Sequence, residues 1–355
     1  MLAKRVLVST KRLKMHLDHL TPGTARVLLV LAWVFAIQEG ATAAAYSSFE
    51  PQHLKVLAKE STLEISWGST QGHLESSSGP KGPWEALTNR AAFTDGRSVV
   101  TVPRDSGPRF YRLRQETFRA MTYNIHHGVG TDGVLNLGRI AAVINAQAPD
   151  LVGLQEVDNG TLRSGYMDQA AELGRLTGMN HFFGKNINYQ SGGYGLGVLC
   201  RHPITSSKHV LYTQQNTQLE QRGVNVVQID FGETDVIFFN THLDHNTADA
   251  ERLYQISQIK SLVQAYPSGK VLVCGDFNCT PDGNCYASMI LDFVDAWPNA
   301  SSSSGFTFPS TGPDERIDYF WMKMSEIKPV AGWIPSTLAS DHLPTVVDFL
   351  LPASD

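Results

Sequence analysis

Apolar and polar positions follow two different rhythms along the chain. Over residues 47–114 the runs "LKVLA", "TLEISW", "GHLESSS", "SVVTVP" and "RFYRLR" are short, and "TLEISW" and "RFYRLR" alternate at period two. That period sends successive side chains to opposite faces of a strand, and the Gly, Pro and Ser between the runs supply turns. No stretch there has the spacing of a helix longer than a turn. The prediction for residues 46–114 is a small β-sandwich of the fibronectin or immunoglobulin kind, with Trp67, Trp84 and Tyr111 as its large anchors. It carries no catalytic constellation, so a spacer or folding partner is the better reading over sugar or surface binding.

From Phe118 onward strand-like and helix-like runs take turns. "FRAMTYNI" precedes "LGRIAAVINAQ", whose apolar positions suit one helix face; "LVGLQEV" precedes the helical "MDQAAELGRLTG". "YGLGVLC" follows, and "ADAERLYQISQIKSLVQAY" leads into "VLVCGDFN", with "RIDYFWM" and "TVVDFLL" closing the chain. Such alternation predicts a layered α/β domain over residues 117–353. "VNVVQIDF" and "VIFFNTHL" are joined by the short turn "GETD" and predict a hairpin, so the sheet is mixed.

The first 45 residues fit neither rhythm. Lys4, Arg5, Lys11, Arg12 and Lys14 precede the apolar run Val27 to Ile37, and the small residues Ala41 to Ala45 follow. Charged, then apolar, then small is the order of a secretory signal. Cleavage after Ala43 or Ala45 fits, Met15 is an alternative start, and the run is short for a spanning helix, which needs about 20 residues. A retained anchor is the competing reading; the expectation is export, to the periplasm, cell surface or medium.

Charge sharpens the division. The formal net charge of −5 resolves into +4 over residues 1–45, +2 over 46–114 and −11 over 115–355. An acidic domain is a poor start for tracking polynucleotide phosphates and a better one for divalent cations. Of the four cysteines, Cys200 and Cys274 lie in apolar runs as core residues, while Cys279 and Cys285 flank "CTPDGNC" and are placed to close a small loop in an oxidising compartment. No cysteine pair has zinc-site spacing with histidines.

Several apolar runs end in an acid, an amide or a histidine: Asn124, Glu156, then Asn240, His242 and Asp244, then Asp276 and Asn278, then Asp318, then Asp341 and His342. Each alone reads as a turn or solvated residue. Their repetition at strand after strand predicts one site, because open α/β sheets gather their sites beyond strand ends. Carboxylates and amide oxygens suit Mg²⁺, Mn²⁺ or Ca²⁺, and histidines can hold and protonate phosphoryl oxygens near neutral pH. With no nucleophile elbow and no phosphate-binding P-loop, the inventory fits metal-assisted attack of water on a phosphate ester.

In order, "TYNIHHG", "LQEVD", "YGLGVLCRHPI", "NTHLDH", "GDFNCTP", "RIDYF" and "SDHLP" resemble the endonuclease/exonuclease/phosphatase superfamily, with the deoxyribonuclease I-like fold, from about residue 117 to 352. The resemblance implies a four-layer α/β sandwich with two central mixed sheets and helices outside. It implies Glu156 as the main metal ligand with Asn124 beside it, and Asp276 as the carboxylate that activates or positions water. It implies Asn278 as a holder of phosphate or nucleophile, and His242 and His342 as the phosphate-contacting pair. Asp318 then orients His342, and Asp341 is a second metal or support position. Tyr194, Arg163 and Arg201 are candidates for phosphate or headgroup, with Arg201 equally readable as structural. Leu196 and Cys200 stand where relatives often have Asn and Ser, which bears on substrate contacts.

Within that superfamily "LQEVDNGTLRSGYMDQAAELGRLTG", "GGYG" and "NTHLDH" are closer to the glycosylphosphatidylinositol-remodelling group than to deoxyribonucleases. The expectation is a phosphodiesterase using Mg²⁺, with Mn²⁺ or Ca²⁺ as alternatives. A lipid headgroup or small phosphodiester ranks above DNA or RNA, with peripheral membrane contact and no obligate protein partner. A catalytically inactive surface-binding protein is the alternative of another class.

Overall fold

The computed structural model describes residues 26–34, 54–59, 61–67, 72–79, 81–87, 91–94, 97–103, 109–232, 234–267, 270–323 and 327–351. Internal contacts divide the chain into two units, 1–117 and 118–355. Most of the expected leader, including Ala41 to Ala45, lies outside the described residues.

In the first unit the regular elements among the described residues are strands. One sheet runs Lys55–Ala58, Thr62–Trp67, Arg97–Pro103, Ala92–Thr94 in spatial order. His73–Ser77 pairs with Glu85–Ala86 and with the beginning of the strand Arg109–Asn124. Ile65, Trp67 and Val100 share a core with Leu74, Tyr111 and Leu113, whereas Trp84 is half-buried under the Arg112 guanidinium, 4.5 Å from its ring centre. Arg26–Val34, part of the expected leader, forms a strand antiparallel to residues 109–117, with Arg26 opposite Thr117 and Val34 opposite Arg109. A chain cleaved after Ala43 or Ala45 lacks that pairing.

The second unit has two six-stranded paths. One runs Asn180–Tyr189, Gly192–Cys200, Leu151–Asn159, Arg109–Asn124, Thr345–Leu350, Lys328–Trp333; the other runs Ile204–Leu211, Gly223–Asp230, Asp235–His242, Val271–Asp276, Asp318–Lys323, Phe293–Asp295. Both sheets are mixed, since residues 120–124 run parallel to 151–155 and Asp235–His242 runs parallel to Val271–Asp276. The predicted hairpin is present, with Asp230 opposite Asp235.

Three apolar clusters account for four layers. Phe118, Leu151 and Val198 of the first sheet meet Val227, Phe238 and Phe320 of the second. The outer face of the first sheet packs Met121, Val152 and Leu199 on Ile140 and Ile144 of the helix Leu137–Gln147 and on Leu173 of the helix Gln169–Thr177. The outer face of the second packs Phe239 and Val273 on Ile256 and Ile259 of the helix Ala250–Gln264, and on Met289. The second unit is therefore the predicted four-layer α/β sandwich with two central mixed sheets. No helix among the described residues is long and apolar enough to cross a membrane.

Asn240 is the buried rivet between the sheets. Its Nδ2 donates to the carbonyls of Leu154 (2.9 Å) and Gly197 (2.8 Å) across the interface, and its Oδ1 accepts from Gln155 Nε2 at 2.7 Å. A Cβ at Gly153 would lie 2.4 Å from Cys274 Sγ and 2.9 Å from Asn240 Oδ1, so only glycine admits this approach. Asn240 thus belongs to the sheet interface, although its neighbours in sequence reach the site. Cys200 and Cys274 are buried in the core between the sheets, and Cys279 and Cys285 are buried thiols that form no bridge.

Candidate active site

Strand register assembles the centre. His242 is the Cα partner of Asp276 in the parallel pair, and Asp276 is the partner of Asp318 in the antiparallel pair. Three adjacent strands therefore present a histidine and two acids in one row. Gly275, at φ +145°, lets the strands close up: a Cβ there would stand 2.0 Å from the Thr241 carbonyl oxygen. On the other sheet Asn124 ends its strand opposite Gln155. A register shift follows, with Gly195 opposite Val157 and Gly197 opposite Leu154. The resulting bulge, with Glu156 at φ 58°, re-aims the Glu156 side chain.

Asn124 joins the two sheets' acids. Its Nδ2 donates to Glu156 Oε1 and to Asp276 Oδ2, each at 3.1 Å, while its Oδ1 accepts the His126 N–H at 3.0 Å. The amide nitrogen, rather than its oxygen, faces the carboxylates. Asp276 Oδ1 accepts the Asn278 N–H at 2.9 Å, and Asn278 Nδ2 is held by the Leu243 carbonyl at 3.1 Å.

Two imidazoles face Asp276 Oδ2: His242 Nε2 at 3.5 Å and His342 Nε2 at 3.6 Å. Both distances exceed normal hydrogen bonds, so the three groups face a common point without consuming one another's protons. His342 Nδ1 donates to Asp318 Oδ2 at 3.0 Å. Burial disfavours the imidazolium, yet the Asp318 and Asp276 charges prevail and push His342 up to about 10. His242 behaves oppositely. Burial, then the Arg222 guanidinium and the neighbouring histidines, hold it well below its ordinary value. Arg222 Nη1 donates to His242 Nδ1 at 2.9 Å, which leaves the neutral ring's proton on Nε2. Burial, reinforced by Asp318, pushes Asp276 up to about 7, against the pull of His342 and the Asn278 N–H.

The remaining predicted residues fall in different places. Asp341 is partly exposed, 3.9 Å from His126 Nδ1, and its backbone carbonyl accepts the Ser310 N–H. Tyr194 is buried close to Glu156, and burial and that carboxylate raise its phenol well above the ordinary value. Arg163 is committed to Asp158, with Nε–Oδ2 at 2.8 Å and Nη2–Oδ1 at 2.9 Å, and its guanidinium lies 4.6 Å from the Tyr189 ring centre. Arg201 is not brought to the cluster. It follows Cys200, whose partner Leu151 begins the strand Leu151–Asn159 five residues before Glu156, about 17 Å away at 3.3 Å per residue. Its Nε donates to the Pro149 carbonyl at 2.8 Å.

Arg222 carries no signal in the sequence. It is 3% exposed, lies just before Gly223–Asp230, and also donates from Nη2 to His245 Nδ1 at 3.2 Å. Nothing local in "QRGVNVV" distinguishes it from a surface arginine.

Among the described residues two groups could hold a cation: His126, His127 and Glu156, and Asp276, Asp318 and His342, each with ligand atoms within 4.8 Å of one another. The second is already organised for protons by the His342–Asp318 bond. The first fits a divalent ion, because Glu156 is partly exposed and the buried His127 Nδ1 has no hydrogen-bond partner.

The model of the Endonuclease/Exonuclease/phosphatase family matches residues 121–342. Among solved structures, a family member from Beutenbergia cavernae is 27% identical, covers 67% of this chain and 72% of its own, and superposes with a TM-score of 0.58. A mannosyl-6-phosphatase from Bacteroides thetaiotaomicron (15% identity, 66% of this chain and 100% of its own, TM-score 0.55) shares the fold. So does the human Nocturnin catalytic domain with bound sulfate (19% identity, 66% and 94%, TM-score 0.51). Comparison with curated proteins returns no match. With the ordered motifs, the two-sheet sandwich and the family match over most of the second unit, the chain belongs to the endonuclease/exonuclease/phosphatase family of phosphoester hydrolases.

Proposed function

We propose that this chain is an exported, metal-dependent phosphodiesterase that cleaves a lipid or other small phosphodiester by attack of water. The observation that carries this reading is the convergence of His242 Nε2 and His342 Nε2 on Asp276 Oδ2, at 3.5 and 3.6 Å. Asp276, at about 7, can take a proton from water near neutral pH, where a general base is most effective. The neutral His242 and the cationic His342 each offer an Nε2–H to a phosphoryl oxygen. Arg222 and Asp318 hold those rings from behind through their Nδ1 atoms. A divalent cation on Glu156 supplies positive charge to offset the charge developing on the phosphoryl oxygens.

Two observations favour a lipid over a polynucleotide. Residues 115–355 carry a net charge of −11, which opposes long phosphate tracks. Leu162 and Tyr166 are 59% and 63% exposed on the loop that follows the Glu156 strand, with Met167 and Tyr189 also exposed, and such residues suit an interface with lipid. Export is supported by the charge order of the leader.

Hydrolysis of bis-p-nitrophenyl phosphate, abolished by EDTA, tests the reaction. DNA, RNA, sphingomyelin and phosphoinositides with Mg²⁺, Mn²⁺ and Ca²⁺ test the substrate. Glu156→Gln is expected to lower turnover steeply and raise the metal concentration required. Faster cleavage of DNA or RNA replaces the lipid reading with a nuclease, and failure on every ester leaves an inactive binding protein.

A further inference from the structure

The adjacent histidines of "NIHHG" take no part in the reaction just described, yet the chain is bent sharply to place them. His126 and His127 are both left-handed, at φ 46° and 43°, a conformation uncommon outside glycine. It brings their rings edge to face with centroids 4.5 Å apart. His126 Nδ1 donates to the Val129 carbonyl at 3.2 Å, which leaves Nε2 with its lone pair. That is how metal-bound imidazoles are commonly held, one nitrogen on a carbonyl and the other on the ion. Asp341 Oδ1, 3.9 Å from the same Nδ1, adds a carboxylate behind the ring. The backbone of His127 is clamped by Gln169 Nε2, which donates to its carbonyl at 2.7 Å. Its own Nδ1 is buried without a partner, 4.0 Å from Glu156 Oε2.

We infer that His126, His127 and Glu156 form a binding site for a divalent transition-metal ion of the Mn²⁺, Co²⁺ or Zn²⁺ class. One ligand atom from each lies within 4.8 Å of the others. Ligands about 2.1 Å from an ion stand about 3.0–3.4 Å apart, so small ring rotations close the set. Two imidazoles and one carboxylate suit such ions, whereas Mg²⁺ prefers oxygen donors and retained water. The inference rests on the reading of Glu156 as a cation ligand and specifies which ion that ligand shares with the histidines.

The test is Co²⁺ titration of the full chain, stripped with EDTA and dialysed, followed by visible absorption and by melting temperature. His126→Asn and His127→Asn are the informative variants, because asparagine tolerates the left-handed backbone; circular dichroism establishes that they fold. The expected result is a Co²⁺ absorption band displaced by Zn²⁺ but not by millimolar Mg²⁺, with affinity falling at least about tenfold in each folded variant. Equal Co²⁺ affinity in the wild type and both folded variants, or no band in the wild type, overturns the inference. Hydrolysis supported by Mg²⁺ alongside histidine-independent Co²⁺ binding leaves the phosphodiesterase reading standing and removes only the ion site. Histidine-dependent Co²⁺ binding with no ester hydrolysed does the reverse.

Discussion

Asp276→Asn removes the proposed base and, with divalent ions removed, is expected to make the fold more stable at pH 8 and less stable at pH 4.5. Asp276 is 1% exposed and lies beside Asp318 in the sheet register. Burial and that neighbour raise its carboxyl from 3.8 to about 7, so the folded protein holds the proton more tightly than the unfolded chain does. Stability from this group is complete below its unfolded value and is lost as pH rises to the folded one. At 1.36 kcal/mol per pKa unit the full swing is about 4 kcal/mol, of which about 3 falls between pH 4.5 and 8. The opposing pull of His342 is already contained in the value of about 7. Asparagine does not titrate, but it has one acceptor oxygen where the carboxylate uses two, toward the Asn278 N–H and Asn124 Nδ2. One donor is left facing an NH₂ group, at about 1–2 kcal/mol. About 1 kcal/mol of the swing is already lost by pH 4.5, so the variant is less stable by up to about 1 kcal/mol at pH 4.5 and more stable by about 2–3 kcal/mol at pH 8. At about 2–4 °C per kcal/mol, the difference in melting temperature swings by about 6–12 °C and changes sign. Thermal unfolding of both proteins in EDTA across this range measures it. A difference of constant sign and size would mean that Asp276 is an ordinary ionised carboxylate, and its role as a base near neutral pH would fall with it.

Asp318→Asn and His342→Ala are each expected to cost about 10³–10⁴ in turnover, by analogy with catalytic triads, and the double variant no more than His342→Ala alone; additive losses would show that the 3.0 Å pair is not one unit. Because Asp318 helps raise His342 to about 10, the alkaline limb of activity should lie near that pH and move down in Asp318→Asn; an unmoved limb assigns it to another group. Arg222→Met should lower turnover about 100-fold, within the range for loss of a positioned catalytic group, and raise the His242 pKa seen by NMR, since the guanidinium helps hold it down; an unchanged imidazole titration would refute the positioning. A chain beginning at Glu116, just before the division at residue 117, should fold and hydrolyse the generic diester; a folded but inactive product would implicate the first unit in the reaction.

Local patterning was enough to place many of the second unit's elements. The apolar spacing of "LGRIAAVINAQ" marks the helix Leu137–Gln147, and the polar ends of "LVGLQEV", "VIFFNTHL" and "VLVCGDFN" mark where strands deliver side chains. Periodicity acts between residues two to four apart, so it is written in the sequence itself. It does not specify register between distant strands. That Asp276 lies between His242 and Asp318, and that a bulge turns Glu156 toward Asn124, follows from pairings across the folded sheets. Asn240 shares the strand-end pattern of His242, yet it serves the sheet interface because Gly153 lets the two sheets approach there. The arginines make the same point. Arg163 and Arg201 looked available, but the fold gives one to Asp158 and leaves the other at the far end of a strand. Arg222 looked unremarkable, and its role arises because His242, twenty residues away, closes over it in a buried setting where an unpaired guanidinium would be costly.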